Sequence, residues 1–300
     1  MTSLIKDSSK QELFRTNLSK RYIIERILAI LAWGAISIAI LVLAVLLIDI
    51  LIDGLPSLNL DFLNNLPSYK AERAGIKVPL LGTIWVMSLV AAVAFPLGVG
   101  AGIFLEEFAE DNWFTNLIEI NINNLAGVPS IIYGLLGLAV FVRVLEPITG
   151  GRSIISGALT LALLILPIII VSTREALRAV PDNLRLAGLA LGATKWQVIW
   201  EQILPLALPG ILTGTILALS RAIGETAPLI VVGALAYITS LPTNLQSSFT
   251  VMPIQIFNWI NRPQEEFHHI AAGGIIVLMV VMLVMNSTAV WLRNKFQNKV

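Results

Sequence analysis

Apolar residues fall along this chain in long blocks instead of alternating with polar ones. Six blocks reach the length a helix needs to cross a bilayer, about eighteen residues or more: 27–48, 80–105, 125–142, 153–173, 203–237 and 270–292. Pro96, Gly98, Gly100 and Gly102 interrupt the second. The pattern predicts an all-α membrane protein of six transmembrane helices. A polar tail (1–26) precedes a spanning domain (27–292), and a short tail (293–300) follows it. Six spans put both ends on one face. Two connections, 54–79 and 238–269, are too long for plain turns. The second contains FTVMPIQIFNWIN. That stretch reads either as a helix lying in the interface, with Trp259 at headgroup depth, or as a packed outer segment.

Composition agrees with lipid burial: 56% of residues are hydrophobic and 13% charged, about half the charge of a soluble domain. The net charge of +1 offers nucleic acid no field, and without cysteine there are no disulfides, thiolate metal sites or thiol catalysis. Lys and Arg set orientation. Lys6, Lys10, Arg15, Lys20, Arg21, Arg26, Arg174, Arg178, Arg185, Lys195, Arg293, Lys295 and Lys299 would share the face of the termini. The other face holds Lys70, Arg73, Lys77, Arg143, Arg152 and Arg262. Both termini are therefore expected in the cytoplasm. Loop 106–123 breaks the rule, because it should be cytoplasmic yet carries only acids: Glu106, Glu107, Glu110, Asp111 and Glu119. No small-residue cleavage pattern follows the first span, which reads as retained.

The loop between the fourth and fifth blocks has helix–turn–helix signals. Asp182 is placed to cap a helix running through Leu191, and Gly192 suits the left-handed residue that ends it. Thr194 and Gln197 form a T-x-x-Q capping box for the next helix. Pro205 and Pro209 mark entry to the fifth span. Leu184, Leu186, Ala187, Leu189, Ala190 and Leu191 make the first helix unusually apolar for a water-facing loop. That surface serves either a partner or the protein's own spans.

LRLAGLALGATKWQVIWEQILP (184–205) resembles the EAA loop of bacterial ABC importer permeases, E-A-A-x3-G-x9-I-x-L-P. Ala187, Gly192, Leu204 and Pro205 match, whereas Leu186 stands at the glutamate, Gly188 at the second alanine and Gln202 at the isoleucine. NNLAGVPSIIYGLLGL (123–138) and SRAIGETAPLI (220–230) are similar to permeases of the phosphate-specific transport system, and the second is closer to the PstA-type subunit than to PstC. The resemblance implies a type I importer permease in the bacterial inner membrane, with no cofactor. Its loop 174–205 would dock a separate ATP-binding subunit, itself a dimer, through Leu186, Ala187, Gly188, Gly192, Ala193, Thr194, Leu204 and Pro205. A second, PstC-type permease would complete the pathway, and an extracytoplasmic binding protein would deliver inorganic phosphate. Sulfate, molybdate or phosphonate is the alternative cargo.

Arg221 and Glu225 sit in the fifth block, four residues apart and so on one helix face. At about 1.5 Å per residue, Arg221 lies about 24 Å from both Pro205 and Tyr237. A charge at that depth costs about 3 kcal/mol or more, and such residues normally face a bundle interior or a watery path. Pro228 removes the N–H that the Gly224 carbonyl would accept. A kinked helix presenting Arg221, Glu225 and Thr226 to a pathway is expected. The guanidinium fork suits a tetrahedral oxyanion. The plainer reading is an ion pair that ties two helices.

In 123–138, Gly127, Gly134 and Gly137 suit close helix packing. Asn123, Asn124, Ser130 and Tyr133 are the alternative, as lining for the inner end of the path. Arg174 and Glu175 read as interfacial charges. The chain has no phosphate loop, H-E-x-x-H or G-x-S-x-G, so ATP hydrolysis is assigned to another polypeptide and an intramembrane enzyme is disfavoured. His268 and His269 beside Glu265 and Glu266 are read as a solvated loop end, not a metal site. A passive anchor would not need charges at mid-membrane.

Overall fold

The structure is a computed structural model that describes residues 18–234 and 237–297. The bases Lys6, Lys10, Arg15 and Lys299 used above for orientation lie outside these residues. Two compact units divide the chain, Met1–Ile52 and Asp53–Val300. The first unit holds nearly all of helix α1 (Leu18–Gly54), apolar on every side, so residues 18–26 of the expected tail are already helical.

The second unit takes in the end of α1 and a 3-10 turn, Leu55–Ser57, before a short helix α2 (Leu60–Asn64), capped by Asn59, whose side chain accepts from Phe62 N at 2.7 Å. The span α3 (Lys77–Ile103) widens at its end into a π turn, Phe104–Phe108. Next come α4 (Trp113–Leu125), α5 (Ser130–Gly137) with a π continuation to Val144, and the short α6 (Glu146–Thr149). The long α7 (Ile154–Arg178) is followed by α8 (Asp182–Ala190) and α9 (Lys195–Val198), then a π turn, Ile199–Ile203. Helices α10 (Leu204–Gly224) and α11 (Ala227–Val232) form the fifth crossing. Helix α12 (Met252–Ile260) lies in the last long connection, and α13 (Glu265–Gln297) completes the chain.

Among the described residues five helices are long and apolar enough to span a membrane, or six if the α4–α5 pair counts as one. Here the block 125–142 departs from expectation. Instead of one straight span, the chain breaks between Leu125 and Ser130 and turns by 106°. The cause is local. Pro129 disfavours helical backbone at Val128, and Gly127 N and Val128 N turn back onto Asn124 O and Leu125 O at 3.0 and 3.1 Å.

Close approach of α3 to α7 explains two of the glycines in the second block. A Cβ at Gly98 would lie 2.6 Å from Ile169 Cγ2, and one at Gly102 2.7 Å from Thr173 Cβ. Gly100 faces open space. The central core gathers Val86, Val90, Leu161, Ile165, Ala218 and Leu229 around this contact. A second cluster holds Phe62, Ile76, Met252, Trp259 and Phe267. Trp259 is fully buried there, so its ring packs inside the protein and its segment forms a packed cap. Thr83 Oγ1 anchors the cap to α3, accepting from Met252 N at 2.9 Å and donating to Pro79 O at 2.8 Å.

Candidate functional site

The fifth crossing breaks where the charges sit. Helix α10 stops at Gly224, Glu225 is extended (φ −79°, ψ 110°), and α11 restarts at Ala227. A kink was expected and a full interruption is found. Pro228 now lies in the first turn of α11, where a missing N–H leaves no bond unmade. The crossing also ends earlier than the apolar run suggests, at Gly233 with φ +101°. A left-handed residue there needs glycine.

Arg221 Nε donates to Glu225 Oε1 at 3.2 Å across the break. The pair is not sealed in: the side chains are 44% and 18% exposed within this chain. Thr226 and Gly224 stand on the same interruption. A Cβ at Gly224 would meet nothing. Within a bilayer, non-helical backbone is tolerated only where protein or a water-filled cavity surrounds it.

The 123–138 stretch divides between packing and exposure. Gly134 abuts α11, since a Cβ there would lie 2.7 Å from Pro228 Cα. Gly137 abuts α7, with a Cβ at 2.8 Å from Thr160 Cγ2. Tyr133 is buried, and its hydroxyl donates to Leu125 O at 2.9 Å. It stitches the 106° bend together and does not face outward. Asn123 and Asn124 are exposed and Ser130 half-buried. Arg221 and Glu225 are thus one helix-packing step from the α4–α5 bend. Sequence reasoning missed Asn286 of α13, whose Oδ1 accepts from Ser220 Oγ at 2.7 Å beside Arg221. It also missed Arg293, which donates to Thr213 Oγ1 at 3.2 Å. The signal for Asn286 was present, as a polar residue within the sixth apolar block.

In the 182–205 loop, local signals and structure agree with one exception. Gly192 takes φ +84°. Thr194 and Gln197 form the reciprocal capping box, at 2.9 and 3.3 Å. Asp182 is not the cap, however. Pro181 occupies that position, and Asp182 sits in the first turn, 3.1 Å from Arg185 Nη1. Leu186 and Leu189 are exposed, and Leu191 is 90% exposed. Trp196 stacks on Trp200 at 5.6 Å and both are open. Gly188 makes room for Val198, whose Cγ2 would lie 2.6 Å from a Cβ there. The exposed apolar surface is therefore real.

The acids of loop 106–123 meet the bases of this loop. Arg174, read above as an interfacial charge, is buried. It donates through Nε to Glu106 at 3.1 Å and through Nη2 to Glu119 at 2.5 Å. Arg178 donates to Glu106 at 2.8 Å. Arg185 donates to the buried Glu107 at 2.7 Å, and Glu107 is the main reason its guanidinium pKa stands above the usual value. A cavity of about 380 Å³ opens beside these groups, between Glu107, Arg185 and Lys195. Charge neutralisation explains why an acidic loop sits on the face of the basic residues: it balances charge within the protein. At the opposite end, His269 lies 3.7 Å from Asp53 and His268 is 2.9 Å from Arg262 O. Among the described residues no three acids or histidines gather as a metal would require.

Comparison with known proteins gives these features a family. Residues 94–300 match the model of the binding-protein-dependent transport system inner membrane component. The probable ABC transporter permease protein YqgI of Bacillus subtilis is 32% identical, over 90% of this chain and 96% of that one. The phosphate transport system permease protein PstA of Haemophilus influenzae is 30% identical, over 90% and 92%. In fold, the chain is similar to a bacterial alginate ABC transporter solved with a pentasaccharide-bound periplasmic protein (TM-score 0.64, 16% identity, 91% of this chain and 96% of that one). It is also similar to the MetNI methionine ABC transporter in an inward-facing form (TM-score 0.57, 18% identity, 74% and 97%). With its apolar crossings, the α8–Gly192–α9 loop and a match over most of its length, the chain belongs to the inner-membrane permeases of binding-protein-dependent ABC transport systems.

Proposed function

We propose that this chain is the PstA-type permease of an ATP-driven phosphate importer, with both termini cytoplasmic, and that it forms the anion pathway together with a second, PstC-type permease. The observation that carries the reading is the break at Glu225. It sets a part-exposed guanidinium, Arg221, and the Thr226 hydroxyl on interrupted backbone inside a membrane crossing. Arg221 supplies the planar donor fork for an oxyanion. Glu225 holds that fork while no ion is bound, and it offers an acceptor to a protonated phosphate, which sulfate lacks. Relatives named as phosphate transport permeases over 90% of the chain support phosphate as the cargo. An ATP-binding subunit docks on the exposed leucines around Gly192, and an extracytoplasmic binding protein hands phosphate to the outer mouth. Uptake of labelled phosphate in cells lacking their own permease is the test. No uptake of labelled phosphate above background, with labelled sulfate taken up instead, would replace the assigned cargo.

The same reading makes Gly192 sensitive. Its φ of +84° costs a side-chain-bearing residue about 1–2 kcal/mol. Open space around its Cα means that no clash is added. Gly192→Asp therefore strains the turn slightly and places a charge on an apolar docking face. Several-fold less ATP-binding subunit is expected to co-purify. A wild-type yield would remove this turn from the docking surface.

A further inference from the structure

We propose that Arg185 is a positioning residue that clamps the docking loop to the spans, so that α8 and the inner ends of α3 and α7 move as one body. Three sets of bonds converge on this one guanidinium. Nη2 and Nε donate to Glu107 at 2.7 and 3.2 Å. Nη2 also donates to Leu177 O at 2.9 Å, and Nη1 donates to Val180 O at 2.8 Å. Leu177 O lies in the last turn of α7, where it also accepts a turn bond from Val180 N at 3.2 Å, and Val180 O lies two residues beyond the helix. Nη1 further holds Asp182 of its own helix at 3.1 Å. Lysine's compact ammonium cannot span this set, because the positions need a fork of fixed geometry. Glu107 sits on the π turn that closes α3 and is 7% exposed. Buried charge is retained at a cost in stability, which argues for a directional role.

The clamp leads toward the broken crossing. Arg174, one turn above on α7, ties Glu106 of the same π turn to Glu119 of α4. Helix α4 reaches α5 through the Tyr133–Leu125 bond. Helix α5 packs through Gly134 on Pro228, three residues beyond Glu225. Each step is a direct contact, so displacement of α8 by a docked partner reaches α11 and the break that holds the Arg221 pair. Leu186, next to the clamp, faces outward and is 63% exposed. The docking face thus offers leucine where the family pattern has an acid, and the anchoring charge lies one residue earlier and points inward.

The inference rests on the transport reading, and two measurements on the assembled transporter separate them. The first compares Glu107→Gln, Arg185→Gln and the double variant. Arg185→Gln strands the buried Glu107 charge and should melt lower, Glu107→Gln less so because Asp182 still faces Arg185 at 3.1 Å, and the double variant should melt nearer to wild type than Arg185→Gln. Phosphate transported per ATP hydrolysed should fall about tenfold in all three, the double included. Recovery of that ratio along with stability in the double variant would reduce the pair to scaffold and overturn the proposal. The second measurement needs no substrate. The chain has no cysteine, so once any cysteines of the partner subunits are replaced, spin labels at Asn183→Cys and Asn116→Cys report only the separation of α8 from α4. A narrow distance distribution, unchanged by nucleotide and broadened by Arg185→Gln, is expected. An equally narrow distribution in Arg185→Gln would refute the clamp. A wild-type complex that hydrolyses ATP but takes up no phosphate would refute the cargo alone.

Discussion

Arg221→Ala is expected to cut phosphate uptake by at least about a hundredfold, the scale on which removing one preorganised donor from an anion-stabilising site acts. The assembled permease should remain intact. Arg221 is 44% exposed in this chain and bonds only to Glu225 among its described hydrogen bonds. An open pair of this kind contributes about 0–1 kcal/mol, so thermal unfolding should shift little. Glu225→Gln sharpens the point. If the carboxylate merely neutralised a sealed arginine, its loss would cost about 3–5 kcal/mol. The observed exposure argues against that figure. Glu225→Gln should therefore fold normally and fail in uptake. A large fall in melting temperature, with uptake lost only in proportion to folded protein, would assign the pair to scaffold.

Gly134→Ala carries the second large effect, and it acts through packing. The added Cβ would lie 2.7 Å from Pro228 Cα and 3.0 Å from Pro228 O, both backbone atoms that no rotamer change can move. Overpacking of this kind costs about 1–3 kcal/mol. The atoms displaced belong to α11, which begins two residues after Glu225. Uptake should therefore drop more than the fraction of folded protein does, by roughly tenfold at constant expression if one such interface sets the geometry of the pair. Gly127→Ala serves as the control, because its Cβ would meet only Asn124 O, at 3.5 Å. Equal loss in both variants would mean that the stretch tolerates no side chain at all, and the specific role of the Gly134–Pro228 contact would fall.

Sequence alone determined those features whose causes are local. Apolar blocks are long because a helix needs about eighteen or more residues to cross the bilayer, so all the crossings but the bent one were legible from their lengths. Gly192 and the Thr194–Gln197 box were legible because a left-handed turn and a capping bond are settled within four residues. The charges at 221 and 225 stood out because lipid makes them expensive. Tertiary structure decided what depends on which segments meet. Glu119 and Glu107 lie 55 and 78 positions from Arg174 and Arg185, and no periodicity can announce that they pair. The acidic loop therefore looked like an exception to the orientation rule until its partners were in place. The same holds for Gly134, a close-packing glycine in the sequence whose partner, Pro228, only the fold identifies. The bend at Leu125–Ser130 lies between these cases. Pro129 marked a break, but the 106° turn is held by a hydroxyl eight residues along, from Tyr133. Local chemistry sets where a chain may bend. Only the neighbours against which it packs fix the angle, because an exposed turn would be free to take many.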